Sequence, residues 1–399
     1  MLEGFDIILL AFADWRASWT TPQQIATRLA PENRVLYVDV PRSVFFFLKK
    51  ADPQGAGLWE GERTQEIRTN LHVYHPPHVF LPTGYLPLPL AKRTLDLNGR
   101  LLAGLVTRVA GDLRFSRPII WNFSLLHGHA VARIERCINV YDSADEWTSY
   151  LRTETGRRIV QWLEEKLCRE ADVVFVGTEN MKVARETFNA ETHVVHHAAD
   201  YAHFAKAALP DTPIPRDIAD LPRPVVGTIG VIDPARFDID LIRYMATQRP
   251  QWSIVLVGPA RADMDLRPLH ALNNVHLLGN RPIAELPSYL KGFDVAFVPY
   301  KVNEATRSIY PLKLQEYLAA AKPVVSAALP AVVPYADVVA VASSHPDFLA
   351  KVEQCLKEEG TTLPQARQAV ARRNSWEQRI EEKSRHILRI LQRRKEGAV

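Results

Sequence analysis

Short apolar runs recur along the chain and alternate with segments of helical periodicity. In the first half the runs are DIILLAF (6–12), RVLYVDV (34–40), HVYHP (72–76), PIIWNFS (118–124), INVYDS (138–143), VVFVG (173–177) and HVVHHA (193–198). In the second half they are VVGTIG (225–230), SIVLVG (253–258), VHLLG (275–279), VAFVPY (295–300), VVSAA (324–328) and VVAVA (338–342). Most are continuous rather than alternating, the pattern of strands buried on both faces of a parallel sheet. Between them TPQQIATRLA, GRRIVQWLEEKLCREA, DIDLIRYMATQ and ELPSYLKGF read as helices, the first with Thr21 as N-cap and Pro22 at its first position. A further short helix is predicted over 311–321. Pro311 suits its first position, where the missing N–H would have no intrahelical partner. The alternation, repeated through both halves, predicts an α/β protein of two doubly wound parallel-sheet domains.

A length of 399 residues agrees with two domains. The stretch ALPDTPIPRDIADLPRP (208–224) has five prolines and little periodicity, which is linker composition. The expected division is therefore a first domain over 1–205, a linker over 206–224, a second domain over 225–375 and a terminal helix over 376–399. That helix is charged and amphipathic, with Trp376, Ile380, Ile387, Leu388 and Leu391 on one side, and is expected to return to the first domain.

With 47% hydrophobic and 24% charged residues the composition is that of a soluble globular protein. A net charge of +4 is too small for a general nucleic-acid binder. Cys137, Cys168 and Cys355 lie far apart without metal or redox spacing, so a reducing cytoplasm is expected. The opening residues MLEGFDIILLAFADW meet Asp14 and Arg16 too early for a signal peptide or membrane span.

One local feature resists a purely structural account. Lys313 falls in the first turn of the predicted 311–321 helix, where the dipole disfavours cations, and Glu316 lies one turn on. Either the two form an i,i+3 ion pair worth about 0.2–0.5 kcal/mol, or an anion docks at the helix start.

Several segments resemble one group of proteins. PLKLQEYLAAAKPVVS is similar to the nucleotide-sugar helix of GT-B glycosyltransferases, especially the group 1, family 4-like bacterial enzymes that build surface polysaccharides. VVHHAADYAHF (194–204) resembles the segment between their domains. VVGTIGVIDPARFDIDLIRYMATQRPQWSIVLVGP and NVHLLGNRPIAELPSYLKGFDVAFVPY resemble the opening of their C-terminal domain. DWRASWTTPQQIATRLAPENRVLYVDVP and NVYDSADEWTSY resemble their N-terminal half. The resemblance implies two Rossmann-like domains facing a cleft. It further implies hexosyl transfer from a UDP- or GDP-sugar to a polysaccharide or lipid-linked acceptor. The donor would bind the second domain and the acceptor the first, with no cofactor or metal beyond the donor. The alternatives are a nucleotide-sugar epimerase or hydrolase of the same fold and a non-catalytic nucleotide-sugar binding subunit.

On the donor side, an anion at the 311–321 helix would meet its amides and dipole, with Lys313 as a point charge and Pro311 and Leu312 beside it. Glu316 would accept from the ribose hydroxyls. Gly230, in GTIGVIDPARF (227–237), would let the backbone approach phosphate, and Arg236 or Arg307 would add charge. Tyr300 either borders the base pocket or belongs to the core. Many retaining members carry Glu-x7-Glu, and the position seven intervening residues before Glu316 is Ser308. The anomeric outcome therefore stays open.

On the acceptor side, YDSADEW (141–147) follows a strand, so Asp142, Asp145 and Glu146 are expected at the carboxyl edge of the sheet. The resemblance implies Asp145 as the base that takes the acceptor proton, with Asp142 or Ser143 as a helix N-cap. It also implies His127 near the sugar. Trp15, Arg16 and Trp19, with Trp147, are candidates for sugar stacking and anion contact, or else for packing. Neither His196–His197 nor the DMD triplet at 263–265 is read as a metal site. Phe45, Phe46 and Phe47 beside Lys49 and Lys50 either meet an anionic membrane surface or begin a buried helix.

Overall fold

The computed structural model describes residues 1–17, 19–44, 62–83, 86–143, 145–151, 153–307, 309–358 and 362–397. Ser308 and the run Phe45, Phe46, Phe47, Lys49 and Lys50 lie outside them. The chain forms two compact units, Met1–Val195 with Ile380–Val399, and His196–Arg379.

The first unit is built on strands β1 (Asp6–Leu10), β2 (Arg34–Val38), β3 (Arg63–Arg68), β4 (Leu71–His75), β5 (Ile119–Asn122), β6 (Ile138–Ser143), β7 (Val173–Val176) and β8 (Thr192–Val194). Their order is β3-β4-β2-β1-β5-β6-β7-β8, parallel throughout except for β3 against β4. The continuous apolar runs become central strands because helices cover both faces. RTQEIR carries no such signal: β3 is an exposed edge strand bearing the charges of Arg63, Glu66 and Arg68, as edge strands do when they avoid further pairing. Helix Leu88–Asp112 was not among the predicted elements. It lays Leu102, Val106 and Val109 against the sheet, while Ala91 and Leu95 pack on Ile159 and Leu163. Gly99 on this helix admits the backbone of His129, where a Cβ would lie 2.3 Å from His129 Cβ.

The first helix is Thr21–Leu29, capped by Thr20 rather than Thr21. Gln23 decides this, because its Oε1 accepts the Thr20 N–H at 3.0 Å. The last helix, Trp376–Glu396, has its residues from Ile380 onward in the first unit. Ile380 and Ile387 are fully buried there. Lys383, also buried, forms an ion pair with Asp142 at 2.5 Å. Arg389 and Arg393 meet Glu191 at 3.0 and 3.1 Å.

The second unit carries six parallel strands in the order β11-β10-β9-β12-β13-β14. They are β9 (Val225–Ile229), β10 (Ser253–Val257), β11 (Val275–Gly279), β12 (Val295–Val298), β13 (Val324–Ala327) and β14 (Ala340–Ala342). Separate apolar clusters cover the two faces. The unit begins ten residues before the expected boundary at 205, because Phe204 and Ala207 belong to its core. The proline-rich 208–224 segment is packed on this unit rather than free. Ile218 is fully buried against Gly292, and Asp217 pairs with Arg281 at 2.9 Å. Prolines remove periodicity from a segment without keeping it from a surface. Among the described residues, no helix is long and apolar enough to cross a membrane.

Candidate active site

In the second sheet the strand order reverses between β9 and β12, the position where open α/β sheets bind ligands. Gly230 follows β9 at φ +120° and Gly258 follows β10 at φ +145°. A Cβ on Gly258 would lie 2.2 Å from Gly230 O, so the two turns touch backbone to backbone. Helix Leu312–Ala319 packs beside them, with Pro311 as its N-cap and not its first residue. Leu314, Tyr317 and Leu318 are fully buried on its core side.

Lys313 is therefore drawn inward. It is 7% exposed, its Nζ lies 4.9 Å from the Tyr300 ring centroid, and a Cβ on Gly230 would be 3.3 Å from that Nζ. Among the described residues the Nζ has no hydrogen-bond partner. A buried ammonium without an acceptor is costly, and an anion over Gly230 would remove the cost. Glu316 is partly buried one turn on. Desolvation pushes its carboxyl up to about 7, against the opposing pull of Lys313. Its carboxylate accepts no hydrogen bond among the described residues, so it is open to hydroxyl donors.

The other donor-side candidates divide. Tyr300 is buried, and its ring faces Lys313. Arg236 is tied to the buried Asp233, whose Oδ1 also accepts the Ala235 and Arg236 N–H groups at 3.1 Å. It shapes the loop after β9 with its charge already matched. Arg307 is exposed at the end of the turn Glu304–Arg307, and Leu312 is 40% exposed.

In the first unit the order reverses between β1 and β5. After β1 come Phe12, Trp15 and Trp19. Trp15 sits edge-on to Tyr37 at 5.0 Å and 6.0 Å from Trp19, which is 43% exposed; Arg16 is also exposed. Trp15 N–H donates to Asp39 at 2.7 Å, which fixes the loop. After β6, Trp147 packs edge-on to Phe12 at 5.3 Å, and its indole N–H is buried without a partner among the described residues.

Asp145 is half-buried beside Trp147, and its Oδ1 accepts the Glu146 N–H at 3.1 Å. Glu146 is anchored in turn by the buried Arg185 at 2.7 Å and by Thr148 at 2.6 Å. Arg185 also grips Glu164 with two bonds of 2.9 and 2.7 Å. Two expectations change here. Asp142 does not emerge at the sheet edge and caps no helix; it is buried between Lys383 and the Trp121 indole N–H, 3.0 Å away. Ser143 bonds to Glu164, and the helix Glu154–Glu170 is capped by Thr153.

His127 lies wholly inside the unit. Neither ring nitrogen has a partner among the described residues, and burial pushes its pKa down to about 3, so the ring is neutral. His129 is buried 3.7 Å from Asp96. His196 stacks on Tyr310. No group of three or more metal-capable side chains occurs among the described residues. Arg185, which holds Glu146, and Tyr317, whose hydroxyl accepts the Ile229 N–H, make contacts that the sequence did not signal, since each partner is remote in the chain.

Residues 223–358, the stretch from the start of β9 through the helix His345–Cys355, match the family described as glycosyl transferases group 1. Over 256 residues the chain is 31% identical to TuaH of Bacillus subtilis, named for glycosyl transfer in teichuronic acid biosynthesis. That alignment spans 59% of this chain and 63% of the Bacillus protein. Among solved structures, sucrose-phosphate synthase from Thermosynechococcus elongatus superposes with a TM-score of 0.69 at 15% identity, over 99% of this chain and 100% of that one. Anabaena HepE in complex with UDP and glucose superposes with a TM-score of 0.63 at 16% identity, over 96% and 99%. The group 1 match covers residues 223–358 of the second unit, and the fold of the chain is that of the GT-B structures on which it superposes.

Proposed function

We propose that the protein transfers a sugar from a nucleoside diphosphate, most simply UDP, to a saccharide or lipid-linked acceptor in surface-polysaccharide synthesis. The observation that carries this reading is Lys313, a buried cation without an acceptor, set against Gly230 at a topological switch point. The UDP complex of the Anabaena relative and the teichuronic-acid name of TuaH support the donor and the pathway class.

The second unit would hold the donor, with Lys313 and the helix N-terminus on the diphosphate and Glu316 on the ribose. The first would hold the acceptor, with Trp15, Trp19 and Trp147 offering ring faces and Asp145 the base. In the reaction the acceptor oxygen bonds to the anomeric carbon while the bond from that carbon to the diphosphate oxygen breaks. The proton passes to Asp145, and the electron pair goes to the diphosphate beside Lys313, which stabilises it as it leaves. Because Lys313 and the backbone amides carry the anion, we expect no requirement for a divalent metal. We place the reaction in the cytoplasm.

Ser308, where many retaining relatives have Glu, favours a second reading as a non-catalytic binding subunit. Turnover of UDP- and GDP-sugars, with and without acceptor and with EDTA, separates the cases. Donor consumed only with acceptor supports the transferase. Consumption without acceptor points to an epimerase or hydrolase, and binding without product to the subunit.

A further inference from the structure

Strands β9 and β12 pair only at Val226–Val295 and Gly227–Ala296, although both run on beyond these residues. Past Gly227 the strands part, which leaves the outward N–H of Ile229 without a ladder partner. The alternation along β9 shows which way it points: the next N–H, that of Gly230, turns to Val257 O of β10 at 2.8 Å. The opening is filled by one hydroxyl. Tyr317 Oη accepts the Ile229 N–H at 2.7 Å and lies 3.1 Å from Thr228 Oγ1 and 3.3 Å from Ile229 O.

Lys313 precedes Tyr317 by four residues and so shares its face of the helix. The hydroxyl that ties this face to the end of β9 thereby determines where the Lys313 Nζ sits, over Tyr300 and against Gly230. Apolar packing by Leu314 and Leu318 holds the helix on the sheet. It has no direction of its own, whereas three polar contacts to two adjacent residues define a single register.

We propose that Tyr317 is a positioning residue for the donor diphosphate, its hydroxyl holding the switch point open and setting Lys313 against Gly230. This inference rests on the donor reading above and deepens it.

The test is a double-mutant cycle of Tyr317→Phe and Lys313→Met. UDP and uridine, with GDP and guanosine in parallel, are titrated by calorimetry into the full chain. Tyr317→Phe should weaken UDP or GDP roughly tenfold and leave the nucleoside unchanged, because only the diphosphate meets Lys313. The double variant should bind no more weakly than Lys313→Met alone, since Tyr317 acts through that lysine. Wild-type affinity in Tyr317→Phe, equal loss of nucleoside binding, or losses that multiply in the double variant would each overturn the inference. A Lys313→Met variant with unchanged diphosphate affinity, or a wild type that binds neither nucleotide, would instead remove the donor reading and this inference with it. Should Tyr317→Phe not fold, Thr228→Val decides, as it removes a single partner of the same hydroxyl. A loss of roughly threefold confined to the diphosphate supports the proposal, and no loss overturns it.

Discussion

Lys313→Met separates a ligand-binding lysine from a structural one by the sign of two measurements. In the free protein the Nζ is buried without a hydrogen-bond partner, so below the Glu316 pKa of about 7, where that carboxyl is neutral, the substitution gives up chiefly its attraction to Tyr300, about 0.5–1 kcal/mol. It also relieves the burial of an unsatisfied polar group, which mutational data place at about 1–3 kcal/mol. The balance is a gain of about 1 kcal/mol, equivalent to a rise in Tm of roughly 2–4 °C for a domain of this size. In the complex the same change removes a charge-assisted bond to the diphosphate worth about 1.5–3 kcal/mol, or roughly 10- to 150-fold in Kd for UDP. Thermal denaturation and calorimetric titration on the same preparations read both effects. If Lys313 merely paired with Glu316, the variant would melt lower and bind UDP unchanged. That combination refutes the anion-site reasoning.

Glu316 should give the second unit a pH signature. Its folded pKa of about 7 lies above the ordinary 4.5, so the stability linked to its proton is fully present below pH 4.5 and is lost as pH rises through 7. Glu316→Gln should therefore gain on the wild type in urea denaturation between pH 5 and pH 8, and uridine, which has no titrating phosphate, should bind more weakly below pH 7 only in the wild type. Gly230→Ala should cost about 1–3 kcal/mol of stability through its φ of +120°; its Cβ, 3.3 Å from Lys313 Nζ, should also weaken UDP binding in the same titration. Lys383→Ala leaves Asp142 as a buried, unneutralised carboxylate and should destabilise the first unit by about 3–5 kcal/mol, read by chemical denaturation. Asp145→Asn should abolish transfer while UDP affinity stays at the wild-type value; full turnover in that variant removes the base assignment.

Much of this protein was legible before its structure. The apolar runs that predicted strands are the strands, because burial on both faces of a parallel sheet demands continuous hydrophobicity, and that demand is met within five or six residues. The main strand lost was β3, whose exposed edge position asks for polar residues that resemble a loop. The odd placement of Lys313 was likewise local, a cation in the wrong turn of a helix, and it pointed to the donor side of the site.

The tertiary structure alone decided what each charge does. Asp142 and Asp145 stand three residues apart and were both expected at the carboxyl edge of the sheet, yet one is neutralised inside the first unit by Lys383, 241 positions away, and the other stands half-exposed beside Trp147. Arg236 was a candidate for phosphate until Asp233 took its charge, and nothing in the sequence signalled that the Tyr317 hydroxyl meets Ile229. Hydrophobic periodicity is written into a single stretch of chain and can be read there. The state of a polar group depends on which partners reach it and how much water they exclude, and those partners are gathered only by folding.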